Sequence, residues 1–137
     1  MASARSGFSL IEIMIVLAII GMILAVAVPG FMTARKKGKI TTTRATLKSI
    51  EVSLQEFHDD TGTYPVTLRD LVEKPFDEKI AKRWQGPYLK KEISTDSFGN
   101  DIQYQVTKGQ RHPYELYSYG PNGEGAPRDE WIDVWEI

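Results

Sequence analysis

Residues 8–31 read FSLIEIMIVLAIIGMILAVAVPGF, and this stretch decides the architecture. Ser9 and Glu12 are its only polar residues. About 20 apolar residues in a helix span a bilayer core, and this run is about that long. The core helix of a small soluble domain would show a polar face, and none is present here. A cleaved secretory signal fits poorly, because the run is too long and no small-residue cleavage pattern follows; Phe31-Met32 succeed Pro29-Gly30. A single membrane-spanning helix is the expectation.

A carboxylate inside an apolar helix costs roughly 2.5–3.5 kcal/mol on insertion scales, so Glu12 marks function and needs a partner. The unremarkable alternative leaves Glu12 in the headgroup region. Pro29 removes one backbone hydrogen bond and should bend or loosen the helix locally.

Beyond the span the helical pattern continues. Ile40, Thr43, Leu47, Ile50, Leu54 and Phe57 follow spacings of three and four, an apolar stripe interrupted only by Thr43. The stripe lasts under three heptads, so it is expected to dock on the chain's own sheet rather than in a coiled coil. A helix from Phe8 to about His58 would be roughly 75 Å long. Half of it must then project from a body this small. Asp59-Asp60-Thr61-Gly62 should close it.

In the body, Leu68 and Leu71 suggest a short helix or loop, and Trp84-Gln85-Gly86-Pro87-Tyr88-Leu89 a turn flanked by aromatics. Residues 102–106 and 114–119 alternate as strands do, with turn residues Ser97-Phe98-Gly99-Asn100 and Lys108-Gly109-Gln110 around the first. Trp131 to Trp135 offer a further strand. The fold class expected is α+β, a long amino-terminal helix packed on a small antiparallel sheet.

Composition narrows the functional classes. At 137 residues the chain has room for one domain plus an anchor. A net charge of −1 argues against nucleic acid as a partner. The absence of cysteine removes disulfides, thiolate metal sites and a cysteine nucleophile. The two histidines, His58 and His112, have no nucleophile or metal partner at motif level, and no phosphate-binding glycine loop appears. No enzyme is expected.

Gly7-Phe8-Ser9-Leu10-Ile11-Glu12 and the apolar run behind them resemble the type III signal of type IV pilins and pseudopilins. The resemblance implies that a prepilin peptidase cuts between Gly7 and Phe8 and methylates the new amine. That would divide the chain into a leader (residues 1–7), a membrane and filament-core helix (8–31) and a periplasmic globular domain (32–137). It also implies that Glu12 pairs with the Phe8 amine of a neighbouring subunit and that Pro29 lies where the helix partly melts during assembly. An unpaired charge in an apolar filament core is costly, so only the registered arrangement is comfortable.

Lys and Arg counting points the other way. Only Arg5 precedes the span, whereas Arg35, Lys36, Lys37 and Lys39 follow it, which by itself would place the body in the cytoplasm. The signal motif outweighs that bias, and the body is expected outside the cytoplasm.

The order of Thr61-Gly62-Thr63-Tyr64-Pro65, Gly86-Pro87-Tyr88-Leu89, Asp96-Ser97-Phe98-Gly99-Asn100, Tyr117-Ser118-Tyr119-Gly120 and a late acidic loop is similar to the major pseudopilins (G-type subunits) of type II secretion. This resemblance implies a homopolymeric pseudopilus that helps export folded proteins across the outer membrane. Implied partners are the minor pseudopilins, the inner-membrane assembly platform with its ATPase, and the secretin. The implied location is the bacterial inner membrane, single-pass, with the body in the periplasm. A type IV pilin or competence pseudopilin is the alternative, disfavoured by the missing cysteine-closed loop.

The loop from Tyr119 to Glu130 gathers oxygen donors of the kind calcium takes, without the ligand spacing of an EF-hand. Composition alone reads it as a solvated turn. The resemblance implies a structural calcium held by the carbonyls of Tyr119, Glu124 and Pro127 and the side chains of Asn122, Asp129 and Glu130. Asn122 and Glu130 stand where the family pattern has aspartates, and the charge lost at Asn122 should lower affinity.

Overall fold

The computed structural model describes residues 7–137; the leader expected over residues 1–7 lies, apart from Gly7, outside the described residues. Helix α1 spans Leu10–Thr61, 52 residues. By contacts the chain divides into two units, residues 1–37 and 38–137.

In the first unit every residue from Gly7 to Lys37 is exposed. The apolar half of α1 is long and apolar enough to cross a membrane. Phe8 and Ser9, expected inside the helix, lie ahead of its first turn. The helix continues through Pro29, and the Thr33 hydroxyl donates to the Pro29 carbonyl at 3.1 Å.

In the second unit α1 buries Thr43, Leu47, Ile50, Ser53, Leu54, Phe57 and Thr61, so the expected stripe is the docking face. The helix ends three residues later than expected. Gly62 then takes φ +80° and donates its N–H to the His58 carbonyl at 2.8 Å. A glycine in that left-handed conformation ends a helix at low steric cost.

A 3-10 turn at Leu68–Leu71 follows. The turn packs back on the Gly86-Pro87-Tyr88 segment: the Leu71 carbonyl accepts from the Tyr88 N–H at 2.7 Å, and the Trp84 indole donates to the Asp70 carbonyl at 2.9 Å. The Gly86-Pro87 bond is cis. A Cβ on Gly86 would stand 2.6 Å from the Trp84 ring and 2.9 Å from that of Tyr88, so only glycine fits between them. Helix α2, Glu78–Arg83, is an element that periodicity alone did not reveal. It is only six residues long, and its start is set by Asp77, whose carboxylate accepts from the Lys79 and Ile80 amides.

Three antiparallel strands follow: β1 Gln103–Val106, β2 Tyr114–Ser118 and β3 Ile132–Asp133, in the order β1-β2-β3. Tyr104 pairs with Leu116 and Tyr117 with Asp133. Along β2 the side chains of Tyr114, Leu116 and Ser118 are buried, which gives the period-two pattern of a half-buried strand. β3 is shorter than the stretch from Trp131 to Trp135 suggests, because residues Val134–Glu136 turn into a 3-10 helix capped by Asp133. Leu47, Ile50, Leu54 and Phe57 meet Leu71, Leu116 and Val134 in one core. Each such side chain contributes roughly 1.5–3 kcal/mol on burial, enough together to hold the helix on the sheet.

Candidate functional site

At the amino terminus Ser9 and Glu12 satisfy each other's backbone. The Ser9 amide donates to the Glu12 carboxylate at 2.7 Å, and the Glu12 amide donates to the Ser9 hydroxyl at 3.2 Å. This is a capping box, which serves two of the amides that a helix start leaves without partners. In the single chain the carboxylate expected to meet a neighbour's amine is therefore held by its own helix start. Gly7 and Phe8 precede the box, and Phe8 is exposed. Serine followed three residues later by glutamate is a legible signal, and the apolar run beside it masked its meaning as a cap.

A second constellation, which the sequence showed only as a turn, lies at the root of the acidic loop. Asp96 is buried, and one of its carboxylate oxygens accepts from the amides of Phe98 at 2.8 Å and Asn100 at 2.9 Å. The other accepts from the hydroxyl of Ser118 on β2. The Ser118 oxygen in turn accepts from the Gly120 amide at 2.9 Å, and the Asn100 side chain donates to the Gly120 carbonyl at 2.8 Å. The Ser97 amide reaches the Thr43 hydroxyl on α1 at 3.3 Å. The buried carboxylate thus ties the turn to the central strand, Ser118 and Asn100 carry the link on to Gly120, and the Ser97 amide joins the turn to the helix.

Gly120 has φ +73°, and a Cβ there would stand 3.1 Å from the Glu130 carbonyl, so the two ends of the loop approach as glycine permits. Two short 3-10 turns, Gly120–Asn122 and Arg128–Glu130, carry Asn122, Asp129 and Glu130, with Tyr119 and Pro127 just ahead of them and Glu124 between. The structure brings Asn122 and Glu130 together: the amide nitrogen donates to the Glu130 carboxylate. The Pro127 carbonyl accepts from the Glu130 amide at 3.0 Å. Glu124 and Tyr119 line a polar cleft with Asn100, Asp101 and Gln103. Asp129 is exposed. Among the described residues no three His, Cys, Asp or Glu side chains gather into a metal cluster.

The donor set still suits a hard cation. Asn122 spends one N–H on Glu130, which leaves its amide oxygen and the second Glu130 oxygen as donors; the Asp129 carboxylate and the loop carbonyls are further oxygens of the same loop. Oxygen donors from carboxylates, amides and carbonyls are what calcium takes. The loop also carries anchors of its own. The Trp131 indole donates to the Ala126 carbonyl at 3.0 Å, and its ring stacks on Tyr117 at 4.6 Å with planes 8° apart.

A long capped helix whose second half docks on a three-stranded antiparallel meander defines the type IV pilin-like class. A family model described as "Type II secretion system (T2SS), protein G" matches residues 30–136, and one described as "Prokaryotic N-terminal methylation motif" matches residues 2–28. The type II secretion system core protein G of Pseudomonas aeruginosa is 35% identical over 137 residues, covering 96% of each chain. That of Escherichia coli K12 is 32% identical, covering 97% of this chain and 92% of its own. The crystal structure of the major pseudopilin from the type 2 secretion system of enterohaemorrhagic Escherichia coli superposes with a TM-score of 0.62 at 25% identity, over 77% of this chain and 94% of that one. The chain belongs to the protein G family of the type II secretion system.

Proposed function

We propose that this chain is the structural subunit of a type II secretion pseudopilus and catalyses nothing itself. The match of the family model across the body, residues 30–136, carries the reading and favours it over a pilin for adhesion, motility or DNA uptake. Cleavage between Gly7 and Phe8 releases the leader and leaves a methylated amine on Phe8, about one helical turn before Glu12. Removing the leader changes what the Ser9–Glu12 box faces: a new cation stands beside a carboxylate already aimed at the helix start. The same carboxylate serves the amine of the adjoining subunit in the filament and so sets axial register. The body lies in the periplasm and the apolar half of α1 in the inner membrane until the assembly platform extracts it. Minor pseudopilins and the secretin complete the machinery.

Calcium is part of this proposal. The carbonyls of Tyr119, Glu124 and Pro127 and the side chains of Asn122, Asp129 and Glu130 are the donors, and the ion supplies positive charge that draws the acids of the loop together. Binding to the folded state alone adds stability by linkage.

The reading is tested in a host that carries the secretion machinery. Mass spectrometry of the mature chain should find methylated Phe8 at its amino terminus, and Glu12→Ala should be processed but absent from sheared filaments. A mature chain beginning at any other residue would overturn the processing assignment.

A further inference from the structure

We infer that Arg35, Lys36 and Lys37 form a collar that binds the headgroups of anionic phospholipids at the end of the apolar span. This rests on the membrane-anchored reading of the preceding subsection. The last large apolar residues of the exposed half of α1 are Phe31 and Met32, and the three cations follow within about one and a half helical turns. Continuity with the apolar run therefore puts them at headgroup depth.

Direction around the helix favours a lipid surface over a protein face. Successive residues advance by about 100°, so Arg35, Lys36 and Lys37 point to three sides of α1. A docking partner would call for cations on one side, whereas a headgroup plane surrounds the helix. All three residues are exposed. Neither Arg35 nor Lys36 makes an ion pair among the described residues. No acidic residue stands between Glu12 and Glu51, so α1 itself offers Arg35 and Lys36 no counter-charge within a turn. Lys39 is spent differently, with its ammonium 5.5 Å from the centre of the Phe98 ring.

The collar also accounts for the charge bias that opposes export. Residues 38–137 hold 17 acidic and 13 basic residues, so a body carrying net negative charge follows directly on the span. An anionic leaflet repels such a body, and cations at the junction offset that repulsion. Basic residues beside a span attract anionic lipid within a Debye length of the surface.

The test uses the full chain in vesicles of phosphatidylcholine with one part in about five phosphatidylglycerol, a fraction chosen for a measurable surface potential. Cysteine is absent, so Ala34→Cys, at an exposed helical position, accepts one fluorophore. Energy transfer is compared between trace phosphatidylglycerol and trace phosphatidylcholine, each labelled in its tail. The expected result is about a threefold excess of phosphatidylglycerol near the probe, lost at high salt. The excess should also vanish when Arg35→Gln, Lys36→Gln and Lys37→Gln are combined. Equal transfer from both lipids, or an excess that survives the triple substitution, overturns the collar. A chain that fails to float with the vesicles overturns the membrane reading instead, and the inference with it.

Discussion

The carboxylate of Asp96, 8% exposed, accepts a 2.5 Å hydrogen bond from the hydroxyl of Ser118, which links the turn after residue 95 to the central strand and so to the acidic loop. Asp96→Ala removes the acceptor of three hydrogen bonds and should cost the body about 2–3 kcal/mol. Ser118→Ala strips one partner from a buried carboxylate and should cost about 1–2 kcal/mol. Denaturant unfolding of residues 32–137, which contain the whole core, reads both. Losses below about half a kcal/mol would mean that the bonds are replaced by water at no cost.

Glu12 can be separated into its two roles by substitution. Glutamine still accepts from the Ser9 amide but carries no charge, so Glu12→Gln preserves the box and removes the ion pair. It should be as defective in filament yield as Glu12→Ala. Ser9→Ala, which costs the helix start about 1 kcal/mol, should assemble nearly normally. Normal filaments from Glu12→Gln would sink the registration argument and leave capping as the role of this carboxylate.

Calcium should raise the melting temperature of residues 32–137 above its value in EGTA. At about 100 times the dissociation constant the gain is about 2.7 kcal/mol, several degrees for a domain of this size. Asp129→Ala should abolish the rise. A folded sample whose melting point ignores millimolar calcium would remove the ion from the account.

Alkaline pH should destabilise the body. Burial raises the hydroxyl pKa of Tyr104, and the nearby Tyr114 and Asp70 add to the shift; burial, then Glu51, raises that of Tyr114. The ordinary value is 10.0, so the unfolded chain releases these protons first. Stability is whole below that pH and falls as pH rises above it, by at most about 1.4 kcal/mol per unit for each group. Unfolding midpoints of residues 32–137 between pH 8 and 11 measure the slope. Tyr104→Phe should flatten it, at the expense of the 2.8 Å bond from the Tyr104 hydroxyl to the Pro65 carbonyl.

Much of this protein was written in local pattern. The apolar run from Phe8 and the stripe from Ile40 to Phe57 are properties of spacing, so the apolar half of α1 and its docking half could be read directly. The glycine, phenylalanine and glutamate of the signal are likewise local. Alternation around Tyr104 and Leu116 announced β1 and β2. Helix α2 escaped because six residues carry too little periodicity, and its one signal was the cap at Asp77. The end of β3 was misjudged because Asp133, pairing with Tyr117 while its side chain caps Trp135, starts a turn where alternation suggested more strand.

What the sequence by itself determined was the apolar half of α1, the methylation motif and the class of fold, since each rests on residues within a few positions of one another. The tertiary structure alone decided that Asp96, Ser118, Asn100 and Gly120 form one buried knot, and that Asn122 meets Glu130 across the loop. Apart from the local Ser118–Gly120 bond, those contacts join residues 8 to 22 positions apart. They exist because a buried carboxylate must find donors wherever the packed sheet and helix place them, and no spacing rule encodes that meeting.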